Sequence, residues 1–165
     1  MTMNSDHQTH DPSWQPLPNL DQHCFGCGTD NHHGLRMTFA RSGDRLRTQL
    51  TVSPQFRGWS SLVHGGVIAT ILDEVMSWTA IVVSKRFILT KNMKVNYHRP
   101  VYVGTKITAI GSVSEGNRER RATVAAVHAK VLTVLGQHAI EAVEVNPRRL
   151  PFESMAAIQF YLKHG

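Results

Sequence analysis

From Val67 to Val83 the chain runs Val-Ile-Ala-Thr-Ile-Leu-Asp-Glu-Val-Met-Ser-Trp-Thr-Ala-Ile-Val-Val without a glycine or a proline. At 1.5 Å per residue this stretch accommodates about five helical turns. The β-branched residues near its end would suit a buried strand, but the unbroken length favours a helix. Apolar residues fall on nearly every face, so the pattern predicts a helix buried all round rather than one lying along a surface. Asp73 sits inside this apolar rod. A buried charge without a partner costs several kcal/mol or takes up a proton, so Asp73 is either a structural hydrogen-bonder or part of a reacting site.

A helix that is apolar all round needs a sheet that curls about it, because a flat sheet covers one face only. The remainder of the chain supplies strands. Gly34 to Phe39 and Leu46 to Val52 alternate about the turn Ser42-Gly43-Asp44. Pro54 to Ser61 reads as a loop in which Gly58 delivers the chain to the helix. After the helix, Phe87, Leu89, Met93, Val95 and Tyr97 share one parity, with Thr90, Asn92, Lys94, Asn96 and His98 on the other. Lys106 to Ser114, Arg120 to Leu132 and Gln137 to Val145 follow, joined by the short turns Glu115-Gly116-Asn117 and Leu135-Gly136. The expected class is α+β: a hairpin, one long central helix and a curved antiparallel sheet wrapped around it. Residues 1–33 read as an irregular N-terminal segment with a Cys-x-x-Cys loop, 34–147 as the domain, and 148–165 as a tail that can form a short helix.

At 165 residues the chain is long enough for one domain with a real core. No apolar run is counted as long enough to span a bilayer, and Met1 to His23 lacks the apolar centre of a secretory signal. A soluble, cytoplasmic protein is expected, with no membrane partner. The formal charge of +6 permits a polyanionic partner. The basic residues are scattered, however, and no recognition motif accompanies them, so nucleic acid is not expected.

The segments Phe56-Arg57-Gly58, Val63-His64-Gly65-Gly66, Asp73 nine residues after that histidine, and Leu89-Thr90-Lys91-Asn92-Met93-Lys94-Val95-Asn96-Tyr97-His98-Arg99-Pro100 together resemble hotdog-fold acyl-CoA thioesterases. The resemblance is to the phenylacetate-pathway (PaaI-like) type, which includes the thioesterase-superfamily members, and it spans roughly Gly34 to Val145. It implies that Asp73 is the catalytic carboxylate, acting as general base or nucleophile. It implies that the Gly65 N–H polarises the thioester carbonyl, that Thr90 orients the water or the carboxylate, and that His64 lies beside the site. Some relatives carry an Asn or Gln side chain six or seven residues before the glycine pair, where this chain reads Arg57-Gly58-Trp59.

The chemistry supports the same assignment. A thioester needs donors for its developing oxyanion, and the free N–H groups at a helix N-terminus supply them together with the helix dipole. It also needs a base, and a carboxylate in an apolar wall gains proton affinity. Gly65 and Asp73 lie eight residues apart, roughly 12 Å along one helix. A carbonyl held at one cannot be attacked at about 3 Å by water held at the other, so two antiparallel copies of the helix must pair across a two-fold axis. A homodimer is therefore expected, and the resemblance implies the same, with dimers often paired into homotetramers.

Gly66, Arg57, Asn92, Arg99, Arg118 and Arg120 are candidate substrate-binding residues, the arginines because guanidinium forks onto phosphate. Arg121 shares that chemistry. Trp59, Trp78, Met76, Phe87 and Tyr97 could line an acyl pocket or belong to the core. No cofactor is expected. A metal site could be assembled from Cys24, Cys27, His32 and one further residue, but a lone Cys-x-x-Cys is a weak signal, and the loop is read as structural with no metal assigned. The alternative to hydrolysis is a non-catalytic hotdog module that binds acyl-CoA or a related small molecule. A hotdog hydratase would need a histidine paired with the aspartate on the central helix, and none lies between Gly65 and Ser84.

Overall fold

The computed structural model describes residues 13–85, 87–90 and 92–113, together with the backbone of Val127–Thr133, His138–Ala142 and Pro147–Arg148. The elements run β1 (Gln15–Pro16), β2 (Phe39–Ser42), β3 (Arg45–Thr51), a 3-10 turn (Pro54–Phe56), α1 (Gly65–Ser84), β4 (Leu89–Thr90), β5 (Val95–Tyr97), β6 (Lys106–Val113), β7 (Val127–Thr133), β8 (His138–Ala142) and β9 (Pro147–Arg148). Seven strands form one antiparallel sheet in the order β1-β2-β3-β6-β7-β8-β5, and β4 pairs with β9 apart from it. The expected architecture, one long helix against an open antiparallel sheet, is present.

Local chemistry explains where the elements begin and end. Gly43, at φ 59°, turns the chain between β2 and β3, a conformation that costs glycine little. The strict alternation of β6 puts Ile107, Ala109, Gly111 and Val113 inward. α1 packs against β3, β6 and β7. It approaches the sheet closely at Gly111, where an added Cβ would fall inside the Thr79 hydroxyl and against Val75. Thr79 is fully buried and donates to the Val75 carbonyl at 2.6 Å, so its polar group is satisfied within the helix. At the other end of the helix Lys85 takes the left-handed conformation, φ 55°, and closes the last turn onto Ile81.

Four expectations are corrected. First, α1 is not buried all round. Gly66, Thr70, Asp73 and Ser77 recur at spacings of three and four and form one stripe that is exposed or half-buried, while Ile68, Ile71, Leu72, Val75 and Met76 face the core. Second, the 20-residue α1 is long and apolar enough to cross a membrane by length and composition, contrary to the sequence count. Just over half of its most apolar stretch is buried against the rest of the chain, and packing on the sheet accounts for that composition. Third, the parity of the strand after the helix is inverted at its start: Ile88 is buried and Leu89 exposed, so Thr90 shares the inward side with Ile88. Fourth, the first strand begins late, at Phe39, and the N-terminal segment contributes β1, paired with β2 through Gln15 and Arg41. The turns around 116 and 136 and the tail helix of 152–164 lie outside the described residues.

Candidate active site

The chain reaches α1 through a tight corner. The Gly58 N–H donates to the Leu62 carbonyl at 2.7 Å, Val63 donates to Val101 at 2.8 Å, and His64 donates to Phe56 at 3.0 Å. These bonds hold His64 extended (φ −61°, ψ 133°) as the helix N-cap. Its Nδ1 accepts the Gly66 N–H at 3.0 Å, so the imidazole satisfies one of the orphan donors of the first turn. Gly65 is the first helical residue, exposed, with an N–H that the helix itself cannot satisfy. The Tyr97 hydroxyl donates to the Gly65 carbonyl at 2.9 Å.

Two turns further on, Asp73 meets Thr90. The Thr90 hydroxyl donates to Asp73 Oδ1 at 2.5 Å, and Ser77 Oγ lies 3.3 Å from the same hydroxyl. β4 carries Thr90 across α1 at the level of Asp73, which is what the inverted parity after the helix achieves. Asp73, Ser77 and Thr90 line a cavity of about 380 Å³ whose other walls include Trp78, Ile81, Phe87 and Ile88. Half-buried and hydrogen-bonded, the carboxylate can hold a water at the edge of an apolar chamber large enough for an acyl group.

The same cavity holds groups that sequence reasoning passed over. Glu74, next to Asp73, turns toward the N-terminal loop, where Cys24 Sγ donates to its Oε1 at 3.5 Å. Burial pushes the Glu74 carboxyl above its ordinary range and the adjacent Asp73 charge adds to this, while the two cysteine thiols pull it back. Burial raises the Cys27 thiol, and the Glu74 charge raises it further. Both cysteines are free thiols. The available signal was a second carboxylate beside Asp73 in an otherwise apolar helix.

A second cavity, about 290 Å³, opens at the other end of the helix and is lined by Gly65, Ile68, Tyr97, His98, Arg99 and neighbours. Asp73 and Thr90 are thus together, and Gly65 and Arg99 are together, but the two groups occupy separate cavities. Arg57 and Asn92 are exposed and line neither cavity. Trp59 is 90% exposed and Met76 fully buried, so neither lines these cavities, whereas Trp78 and Phe87 line the first and Tyr97 the second. Arg118, Arg120 and Arg121 lie outside the described residues.

Residues 61–132 match the family model of the thioesterase superfamily. No curated protein matches the chain. Among solved structures, a thioesterase superfamily protein superposes with a TM-score of 0.67 at 21% identity, covering 79% of this chain, which spans only 62% of that protein's length. The PaaI protein of the E. coli phenylacetic acid degradation operon gives a TM-score of 0.60 at 13% identity, over 71% of this chain and 81% of its own. A Streptococcus mutans protein bound to acetyl CoA gives 0.55 at 14% identity, over 90% of this chain and all of its own. The architecture is the hotdog fold that these proteins share.

Proposed function

We propose that this hotdog chain, whose residues 61–132 carry the thioesterase-superfamily match, hydrolyses an acyl-CoA thioester to the free acid and coenzyme A. The observation that carries the reading is the Asp73 carboxylate held by the Thr90 hydroxyl at 2.5 Å on the wall of an apolar cavity. The bound acetyl CoA of the Streptococcus mutans protein on the same fold supports a CoA thioester as ligand.

In the proposed reaction the acyl chain enters the Asp73 cavity and water lies against the carboxylate. Asp73 takes a proton as the water oxygen bonds to the thioester carbon. The carbonyl oxygen becomes an oxyanion, which needs a donor that does not have to reorganise. The Gly65 N–H is that donor, and it comes from a second protomer. In support, Gly65 and Asp73 of one helix are roughly 12 Å apart along its axis and line different cavities. When the tetrahedral species collapses, the C–S bond breaks and the coenzyme A thiolate takes up a proton. His64 acts as a positioning residue that fixes the corner rather than as a base.

The test is thiol release from a panel of acyl-CoA esters by the purified protein and by Asp73→Asn. Turnover of at least one ester that the variant loses supports hydrolysis. Tight acyl-CoA binding with equal, negligible thiol release from both proteins overturns it in favour of the binding module.

A further inference from the structure

The cavity beside Asp73 has an unusual charge inventory for a chain with a net charge of +6. Asp21, Asp73 and Glu74 line it together with the thiols of Cys24 and Cys27, and among the described residues no lysine, arginine or histidine lines it. Three of these groups converge. Cys24 Sγ, Cys27 Sγ and a Glu74 carboxylate oxygen all lie within 4.8 Å of one another.

The convergence is built by the backbone. Gly28 donates to the Cys24 carbonyl at 2.9 Å and closes the Cys-x-x-Cys turn. Leu35 and Met37 donate to the carbonyls of Phe25 and Gly26 at 2.8 and 3.0 Å, and the Asn19 side chain donates to the Cys27 carbonyl at 2.6 Å. These bonds fix the loop's shape through Asn19, Leu35 and Met37, independently of its thiols. At position 26 any Cβ would overlap the Glu74 side chain, so only glycine lets the loop sit this close to that carboxylate. The third converging group is therefore Glu74, supplied by the central helix, and not His32, which is exposed.

We propose that Cys24, Cys27 and Glu74 bind a zinc ion that clamps the N-terminal loop to the central helix and forms part of the cavity wall. Two thiolates and a carboxylate make a plausible zinc donor set, and three protein ligands leave a fourth position for water on the cavity side. With Zn–S of about 2.3 Å and Zn–O of about 2.0 Å at tetrahedral angles, a sulfur and an oxygen on one ion stand about 3.5 Å apart. Cys24 Sγ and Glu74 Oε1 are 3.5 Å apart. A dication there would offset the repulsion between Glu74 and Asp73 and stabilise both thiolates. The site does not depend on thioester hydrolysis and stands or falls separately from it.

The test uses untagged full-length protein, stripped of metal under a thiol reductant. Titrated with cobalt(II), it should develop a thiolate-to-cobalt charge-transfer band in the near ultraviolet and the visible bands of a four-coordinate ion, complete at one equivalent per chain and displaced by zinc. Cys27→Ser should cut the charge-transfer intensity by about half. Glu74→Gln should keep the band while weakening zinc by about tenfold or more. Zinc should raise the melting temperature of the wild type and leave that of a Cys24→Ser, Cys27→Ser double variant unchanged. Because that double variant could fail to fold, zinc-edge X-ray absorption of the wild type gives a second reading: two sulfur neighbours at about 2.3 Å support the site. Cobalt taken up without a charge-transfer band, as the chain's ten histidines would bind it, or zinc with only light-atom neighbours, overturns it.

Discussion

The cavity beside Asp73 is walled by Trp78, Ile81, Phe87 and Ile88 and carries carboxylates and thiols; the cavity beside Gly65 is smaller and carries Tyr97, His98 and Arg99. Both are cut against the same helix, two turns apart. The first offers the Asp73 carboxylate and an apolar chamber, with no cationic side chain among its described residues. The second offers an exposed helix N-terminus and a guanidinium, with no carboxylate among its described residues. Each holds a group that the proposed hydrolysis needs beside the other's. The lesson is that α1 is a ruler: it keeps base and oxyanion donor too far apart to serve one carbonyl, which is why the proposed site needs two copies of the chain.

The largest expected effect comes from emptying the first cavity of its base. Asp73→Asn should lower kcat by about 10²–10⁴-fold in steady-state thiol release, with little change in acyl-CoA affinity. If it does not, the assignment of base to the first cavity fails. Next comes Gly65→Pro, which removes one N–H from the second cavity. Proline is tolerated at the first helical position, the preceding His64 already has a ψ of 133° that suits it, and a Cβ at 65 meets only ordinary contacts with Tyr97. It should lower kcat by about 10²–10³-fold with the helix intact by circular dichroism, while Gly65→Ala, which keeps the N–H, should lose far less. Equal losses would mean that the corner, not the donor, matters.

Thr90→Val deletes the hydroxyl that donates to Asp73 and keeps the shape of the side chain. We expect about a tenfold loss in kcat, because the carboxylate loses the donor that orients it. The smallest effect concerns Glu74 in the metal-free protein. Its folded carboxyl holds a proton to higher pH than the ordinary 4.5, so above that value the folded state binds more protons than the unfolded chain, and stability falls as pH rises. Glu74→Gln should therefore gain on the wild type in melting temperature as the pH is raised from the ordinary carboxylate range toward neutrality. A constant difference over that rise would contradict the burial of this group.

Much of the architecture could be read from the sequence because it rests on local signals. The central helix is placed to within two residues by its glycine corner and its unbroken run, and the β2–β3 hairpin by Ser42-Gly43-Asp44. Asp73 was singled out because a charge in an apolar helix needs a reason. What escaped depends on contacts distant in sequence. Ile88 takes the buried side because β4 leaves the main sheet to pair with β9, which no alternation count on 87–97 can anticipate. Glu74 gains its environment from Cys24, fifty residues earlier, through a loop that reads in isolation as coil. The polar stripe of α1 likewise becomes visible only once the sheet is known to cover the other side.

Co-expression of Asp73→Asn with Gly65→Pro, each inactive alone, tests the shared site most directly. If base and donor come from different protomers, a hybrid dimer holds one doubly damaged site and one intact site. A statistical mixture should then recover about a quarter of wild-type kcat. If both come from the same protomer, every site in the mixture carries a lesion, and activity no higher than that of the separate variants would contradict the account.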